Sequence, residues 1–317
     1  MEKKLIAWLR EEFGNDTAGS DFVRVGIGDD CAVLQATDGE LVLTCDAICE
    51  GVHFDSQQMT PIQIGRKALA VNLSDLASMG AVAKTALVSL TLPRNVSFSY
   101  VQELFRGLRP LADRYDVGIC GGDTTVWDGP LVVSITAIGV APKTGAWMMD
   151  GALLGDHVVV TGSFGGSILK EHWAFEPSLD FAKRWRNEKH QIHACTDASD
   201  SLGIDLQNLA DASGVGFEID LKKIPVSPDA EKLAESSGSS ALHHALTDGE
   251  DFQLVMAVAA ESVDDLIKRS ETKLTSIGRF TQELDYVAID GDQRVEFKPV
   301  GYEHQLGSER KEAEENK

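Results

Sequence analysis

The chain has 317 residues, 43% hydrophobic and 25% charged, which is enough apolar material for more than one core and too much for a disordered polypeptide. Asp and Glu number 50 against 29 Lys and Arg, and the net charge of −21 argues against nucleic-acid backbone and anionic lipid as partners. An anionic substrate then requires metal cations or well-placed backbone amides to offset the local field.

In chain order, residues 5–9 are the only apolar run before Arg10, too short for a signal-peptide core. Strands are expected at 22–27, 31–35 and 41–45, broken by Gly and Asp. A helix is expected over 61–79, opened by Pro61 and stopped by Gly80. A strand at 86–92 ends at Pro93, and Val101, Leu104, Phe105, Leu108 and Leu111 give helical spacing over 99–115. Strands at 117–120 and 131–140 complete this half. The run 131–141, interrupted by Ser134 and Thr136, falls short of the roughly 20 residues that span a membrane. Pro142, Gly145, Gly151 and Gly155 mark a break. Beyond it come a strand at 157–160, a Gly-rich turn leading into a helical stretch, strands at 192–196, 217–221, 252–258 and 274–277, and helices at 202–212 and 262–268. The expected architecture is mixed α/β in two domains, 1–142 and 150–307, with a charged tail at 308–317.

Five cysteines, Cys31, Cys45, Cys49, Cys120 and Cys195, form no CxxC pair, and an odd count suits reduced thiols in a cytoplasm. No second Cys/His pair with zinc spacing follows Cys45 and Cys49.

Carboxylates recur just past apolar strands: Asp29-Asp30, Asp46, Asp123, and Asp197 with Ser199 and Asp200. Ligands of α/β proteins commonly bind where strand ends converge. Asp75 lies on a helix, 67–79, that is apolar nearly all round and therefore expected to be buried, with Asn72 three residues away on the same face. A buried carboxylate needs a basic partner or a cation, and oxygen-only donors select Mg²⁺ or Mn²⁺. There is no P-loop sequence and no dinucleotide fingerprint. Gly121-Gly122-Asp123-Thr124-Thr125 offers amides, a carboxylate and hydroxyls suited to a phosphate and its metal. Together these features suggest polyphosphate chemistry run through several Mg²⁺ ions.

The segments 26–33, 44–46, 50–54, 67–81 and 121–125, followed in the same order by 197–200, 249–252 and 277–279, resemble the thiamine-monophosphate kinase family, within the aminoimidazole-ribonucleotide synthetase-like superfamily. The resemblance implies two α/β domains, dimerisation through the N-terminal sheet, and ATP-dependent phosphorylation of thiamine monophosphate to thiamine diphosphate. It implies Mg²⁺ at Asp30, Thr44, Cys45, Asp46, Asp75, Asp123, Asp197 and Asp200. ATP would meet Phe105, Gly122, Asp123, Met149 and Ser199, and thiamine phosphate would meet His53, Glu250 and Tyr302. Cys45, Phe105, Met149, Ser201 and Thr247-Asp248 depart from the family pattern. The acceptor is an ionised phosphate oxygen, so no general base is expected, and no Ser–His–Asp or Cys–His constellation stands out. The alternatives are another ATP-using relative, or a nucleotide-binding paralogue without turnover.

Overall fold

The structure, a computed structural model, describes residues 2–13, 21–27, 31–35, 38–187 and 192–303. Its N-terminal half runs α1 (Glu2–Phe13), β1 (Val23–Val25), β2 (Val33–Leu34), β3 (Leu41–Cys49), α2 (Pro61–Ser78), β4 (Val82–Pro93), α3 (Phe98–Tyr115), β5 (Gly118–Trp127) and β6 (Val132–Val140). Four of these strands form a sheet in the order β3-β6-β4-β5, with only the β4–β5 pair parallel. Helix α2 covers one face, and α3 packs against α2. The other face exposes Leu41 and Leu43 of β3, because alternate residues of a strand point to opposite sides.

Helix α2 begins where the sequence places it. Thr60 caps Gln63, the Gln63 side chain returns the bond, and Pro61 fills the first turn, where its missing N–H costs nothing. Helix α3 ends at Asp116, which adopts the left-handed conformation at φ 56°. The two helices touch backbone to backbone. A β carbon on Gly65 would stand 1.9 Å from the Leu104 carbonyl oxygen, and one on Gly107 would stand 2.0 Å from that of Ile62.

The second half runs β7 (His157–Thr161), α4 (Glu171–Ala174), α5 (Leu179–Trp185), β8 (Ile192–Asp197), α6 (Leu202–Ser213), β9 (Gly216–Asp220), α7 (Pro228–Ser237), α8 (Ala241–Thr247), β10 (Leu254–Val258), α9 (Val263–Arg269), β11 (Leu274–Thr281), β12 (Tyr286–Asp290) and β13 (Gln293–Glu296). Its strands lie in the order β13-β12-β9-β11-β7-β10-β8. Along β10, Val255 and Ala257 enter a core with α6. Leu254, Met256 and Val258 enter the core that also holds α2, Phe175, Phe181 and Trp185. Helix α2 is therefore apolar all round because it packs against the first sheet on one side and the second half of the chain on the other. Arg66 fastens the contact, donating to the carbonyls of Trp173 at 2.6 Å and Phe175 at 2.7 Å.

Several expectations need correction. The strands expected at 22–27 and 31–35 shrink to three and two residues. Asp46 and Asp123 lie inside strands, since β3 extends to Cys49 and β5 to Trp127. Pairing with neighbouring strands carries each of them past its polar residues. The Gly121–Thr125 segment is thus extended backbone. The helical stretch after Gly166 is three short pieces, divided at Lys170 and at Pro177. Helices α1, α7 and α8 and strands β12 and β13 had no counterpart in the sequence reading.

Candidate active site

Strand β3, helix α2 and the end of β8 bring three carboxylates together. On β3, Thr44 and Asp46 point to the face that α2 covers, while Cys45 points to the open face, where its Sγ is 3.7 Å from Ser134 Oγ. Asn72 Oδ1 accepts the Asp46 backbone N–H at 3.1 Å, so Asn72 fixes the strand against the helix. Thr44 Oγ1 donates a short hydrogen bond to Asp75, and Ser74 Oγ donates one to Asp197. No Lys or Arg among the described residues pairs with Asp46, Asp75 or Asp197.

The electrostatics record this lack of compensation. Burial, then the Asp197 and Asp46 charges, push the Asp75 carboxyl up to about 7 against the pull of the Thr44 bond. Burial pushes Asp197 up to about 6, with Ser74 opposing and Asp205 and Asp46 adding repulsion. Burial raises Asp46 as well. Such a set of oxygen donors, short of positive charge, fits a hard divalent cation. Among the described residues no three carboxylate, imidazole or thiol groups lie close enough to hold a metal ion by themselves. Asp30 lies outside the described residues.

Beside the carboxylates opens a cavity of about 460 Å³ whose walls include Asp46, Asp75, Ser199, Asp200, His53, Glu250 and Tyr302. The three residues that the resemblance assigns to thiamine phosphate thus share one cavity. Its far wall is the turn between α8 and β10. Glu250 N–H donates to the Ser199 carbonyl at 2.7 Å, and Phe252 N–H to that of Ala198 at 2.8 Å. Glu250 and Phe252 sit at φ 62° and 51°. Left-handed backbone costs a non-glycine residue roughly 1–2 kcal/mol, and such strain concentrates at functional sites. His53 Nδ1 accepts the Cys49 N–H at 3.1 Å, which leaves the ring proton on Nε2.

The residues assigned to ATP are divided. Phe105, Gly122 and Asp123 line a second cavity of about 860 Å³ between α1, the β1–β2 hairpin and the open face of the first sheet. Phe105 also packs against Trp8 and Phe13 of α1. Ser199 belongs to the first cavity, and Met149, 38% exposed, lines neither. Strand register explains the division. Asp123 aligns with Ser89, Ser89 with Ser134 and Ser134 with Ala47, the row next to that of Asp46, so Asp123 faces the opposite side of the sheet. Three strand spacings also separate β5 from β3, about 14 Å.

Four further residues of the site carry no simple sequence signal. Lys67 is fully buried and pairs with Glu250 at 2.6 Å. Asp248 accepts the Gly166 N–H at 2.8 Å, and buried Asp251 accepts that of Gly165 with both oxygens, so the Gly-rich turn is tied to the cavity wall. Asp205 accepts the N–H groups of Asp200 and Ser201 at the start of α6. Ser201 is the cap of that helix, bonding Ile204 N–H and the Val300 carbonyl, so its departure from the family pattern has a structural use. Ser237, His244 and Asp248 form a hydrogen-bonded row that the sequence reading had not found, but Ser237 lies outside both cavities.

The fold and these two cavities define a class. Residues 28–141 match the family profile AIR synthase related protein, N-terminal domain, and residues 155–291 match AIR synthase related protein, C-terminal domain. The thiamine-monophosphate kinase of Rhodopirellula baltica is 39% identical over 269 residues, 82% of this chain and 83% of that one. The crystal structure of thiamine-monophosphate kinase from Stenotrophomonas maltophilia K279a superimposes with a TM-score of 0.77 at 31% identity, covering 88% of this chain and 95% of that one. The structure of AaThiL complexed with AMPPCP and TMP gives a TM-score of 0.76 at 28% identity, covering 96% and 97%. The chain belongs to the thiamine-monophosphate kinase family.

Proposed function

We propose that this chain transfers the γ-phosphoryl group of ATP directly to thiamine monophosphate, giving ADP and thiamine diphosphate. The observation that carries the proposal is the cavity that joins uncompensated Asp46 and Asp75 to His53, Glu250 and Tyr302. An anionic acceptor fits such a site only with cations, and the family supplies the acceptor's identity. Asp30, Thr44, Cys45 through its main chain, Asp46, Asp75, Asp197 and Asp200 would hold Mg²⁺ ions, and Asp123 would hold Mg²⁺ from the opposite face of the sheet. Bound there, such ions would supply the positive charge that phosphate groups need beside these carboxylates. Phe105, Gly122, Asp123, Met149 and Ser199 are the residues proposed to meet ATP.

The protein's own part is placement. The acceptor oxygen is already ionised near neutral pH, so no side chain need remove a proton, and rate comes from alignment and charge compensation. His53, Glu250 and Tyr302 orient the acceptor, with Glu250 held in its left-handed conformation by the Ser199 bond. Ser74 and Thr44 hold the carboxylates of Asp197 and Asp75.

The reading includes a homodimer formed over the open face of the first sheet. Leu41 and Leu43 are 50% and 60% exposed there, and the same face floors the second cavity through Leu87, Ser89, Ser134 and Thr136. A cytoplasmic setting belongs to it too, since all five cysteines are free thiols. One reaction tests the central claim. ATP, thiamine monophosphate and Mg²⁺ should give one thiamine diphosphate per ADP with no free phosphate. Free phosphate equal to ADP, without thiamine diphosphate, overturns it.

A further inference from the structure

Lys67 is a lysine with no exposed surface, in the middle of α2. An ammonium has three N–H donors, and here each is engaged. One goes to the His53 carbonyl at 2.7 Å, one to Glu250 Oε1 at 2.6 Å, and one to His172 Nδ1 at 3.2 Å. Burial, together with the neighbouring ammonium, holds His172 down to about 4, so its imidazole is neutral and can accept. The three partners come from separate stretches of chain: the turn after β3, helix α4, and the turn before β10. Two of them, His53 and Glu250, line the smaller cavity, whereas Lys67 stands behind its wall.

A buried ion pair is a weak source of stability, because both charges lose their hydration. What this one does provide is geometry. Glu250 is fixed at its backbone by the Ser199 carbonyl and at one carboxylate oxygen by Lys67, and His53 is fixed through its own carbonyl. The lone pairs of Glu250 that Lys67 leaves unused can then receive the amino group or the cationic ring of the acceptor.

We propose that Lys67 is a positioning residue for the acceptor substrate, setting His53 and Glu250 together from behind the cavity wall. The proposal rests on the reading of His53 and Glu250 as thiamine-phosphate residues. It predicts a divided kinetic effect. Lys67→Met should raise KM for thiamine monophosphate at least tenfold and leave KM for ATP within twofold of wild type. Because Lys67 acts through Glu250, Lys67→Met with Glu250→Gln should raise the acceptor KM no more than twofold beyond the worse single variant.

The experiment is steady-state kinetics of wild type, both single variants and the double variant, against each substrate, with thermal melts of all four. A fall in kcat at unchanged acceptor KM, or KM effects that multiply in the double variant, would assign Lys67 to folding alone and overturn the proposal. Should Lys67→Met fail to fold because Glu250 is left unpaired, the double variant removes both charges. Its acceptor KM should then match or exceed that of Glu250→Gln while KM for ATP stays within twofold of wild type, and a KM for ATP raised beyond that overturns the proposal. Wild-type protein that does not phosphorylate thiamine monophosphate overturns the functional reading and this proposal together. Normal wild-type turnover with a multiplicative cycle overturns only the role of Lys67.

Discussion

Asp75 shows how much one side chain can state about its surroundings. Its carboxyl is pushed up to about 7 because burial and then Asp197 oppose its charge, and among the described residues no Lys or Arg pairs with it. A carboxyl whose folded pKa is raised above its unfolded value of 3.8 takes up protons more readily in the folded state. Its contribution to stability therefore falls as pH rises from about 4 through 7. Asp75→Asn should accordingly melt several degrees above wild type at pH 8 without metal, with the gap closing at pH 5, where Asp75 is already neutral. Saturating Mg²⁺ should reverse the order at pH 8 by stabilising wild type more, and turnover of the variant should fall at least a hundredfold. Thermal melts with chelator and with Mg²⁺ at both pH values check this. A variant that melts far below wild type in chelator would mean that Asp75 serves as a structural ion-pair partner.

At the scale of elements, α2 organises the molecule. It meets both halves of the chain, and its N-terminal half is pressed so closely on α3 that Gly65 and Gly107 each face the other helix's carbonyl oxygens. A methyl group at Gly65 would overlap the Leu104 carbonyl, so the helices would have to part. Gly65→Ala should cost about 3 kcal/mol, more than the small gain in helix propensity can return. Urea unfolding reads this directly, and an unchanged midpoint would show that the two helices can separate without loss.

For the whole molecule, the open face of the first sheet exposes apolar side chains that α2 and the second half of the chain do not cover. Apolar Leu41 and Leu43 stand on an edge strand, and the larger cavity, proposed to meet ATP, lies on the same face. Leu43→Asp should therefore give the solution mass of one chain where wild type gives two, with KM for ATP raised at least fivefold. Light scattering coupled to gel filtration measures the mass. A wild-type protein with the mass of a single chain would remove the dimer from the proposal.

The sequence by itself determined what is local. Pro61 and Gly80 bound α2, the unbroken apolar surface of 67–79 places that helix in the interior, and Asp46, Asp75 and Asp197 stand out because carboxylates beside such runs need explaining. Motif order along the chain was enough to indicate the family. What only the tertiary structure decided depends on partners distant in sequence. Lys67 meets His172 across 105 positions, and Ser74 meets Asp197 across 123. Strands β3 and β5 run on past Asp46 and Asp123 because hydrogen bonds to neighbouring strands, absent from any local pattern, extend them. The opposite facing of Asp46 and Asp123 follows from register, in which a shift of one residue exchanges the two sides of a sheet. Residue type and spacing could thus name the carboxylates, while the assignment of each to one cavity or the other required the folded sheet.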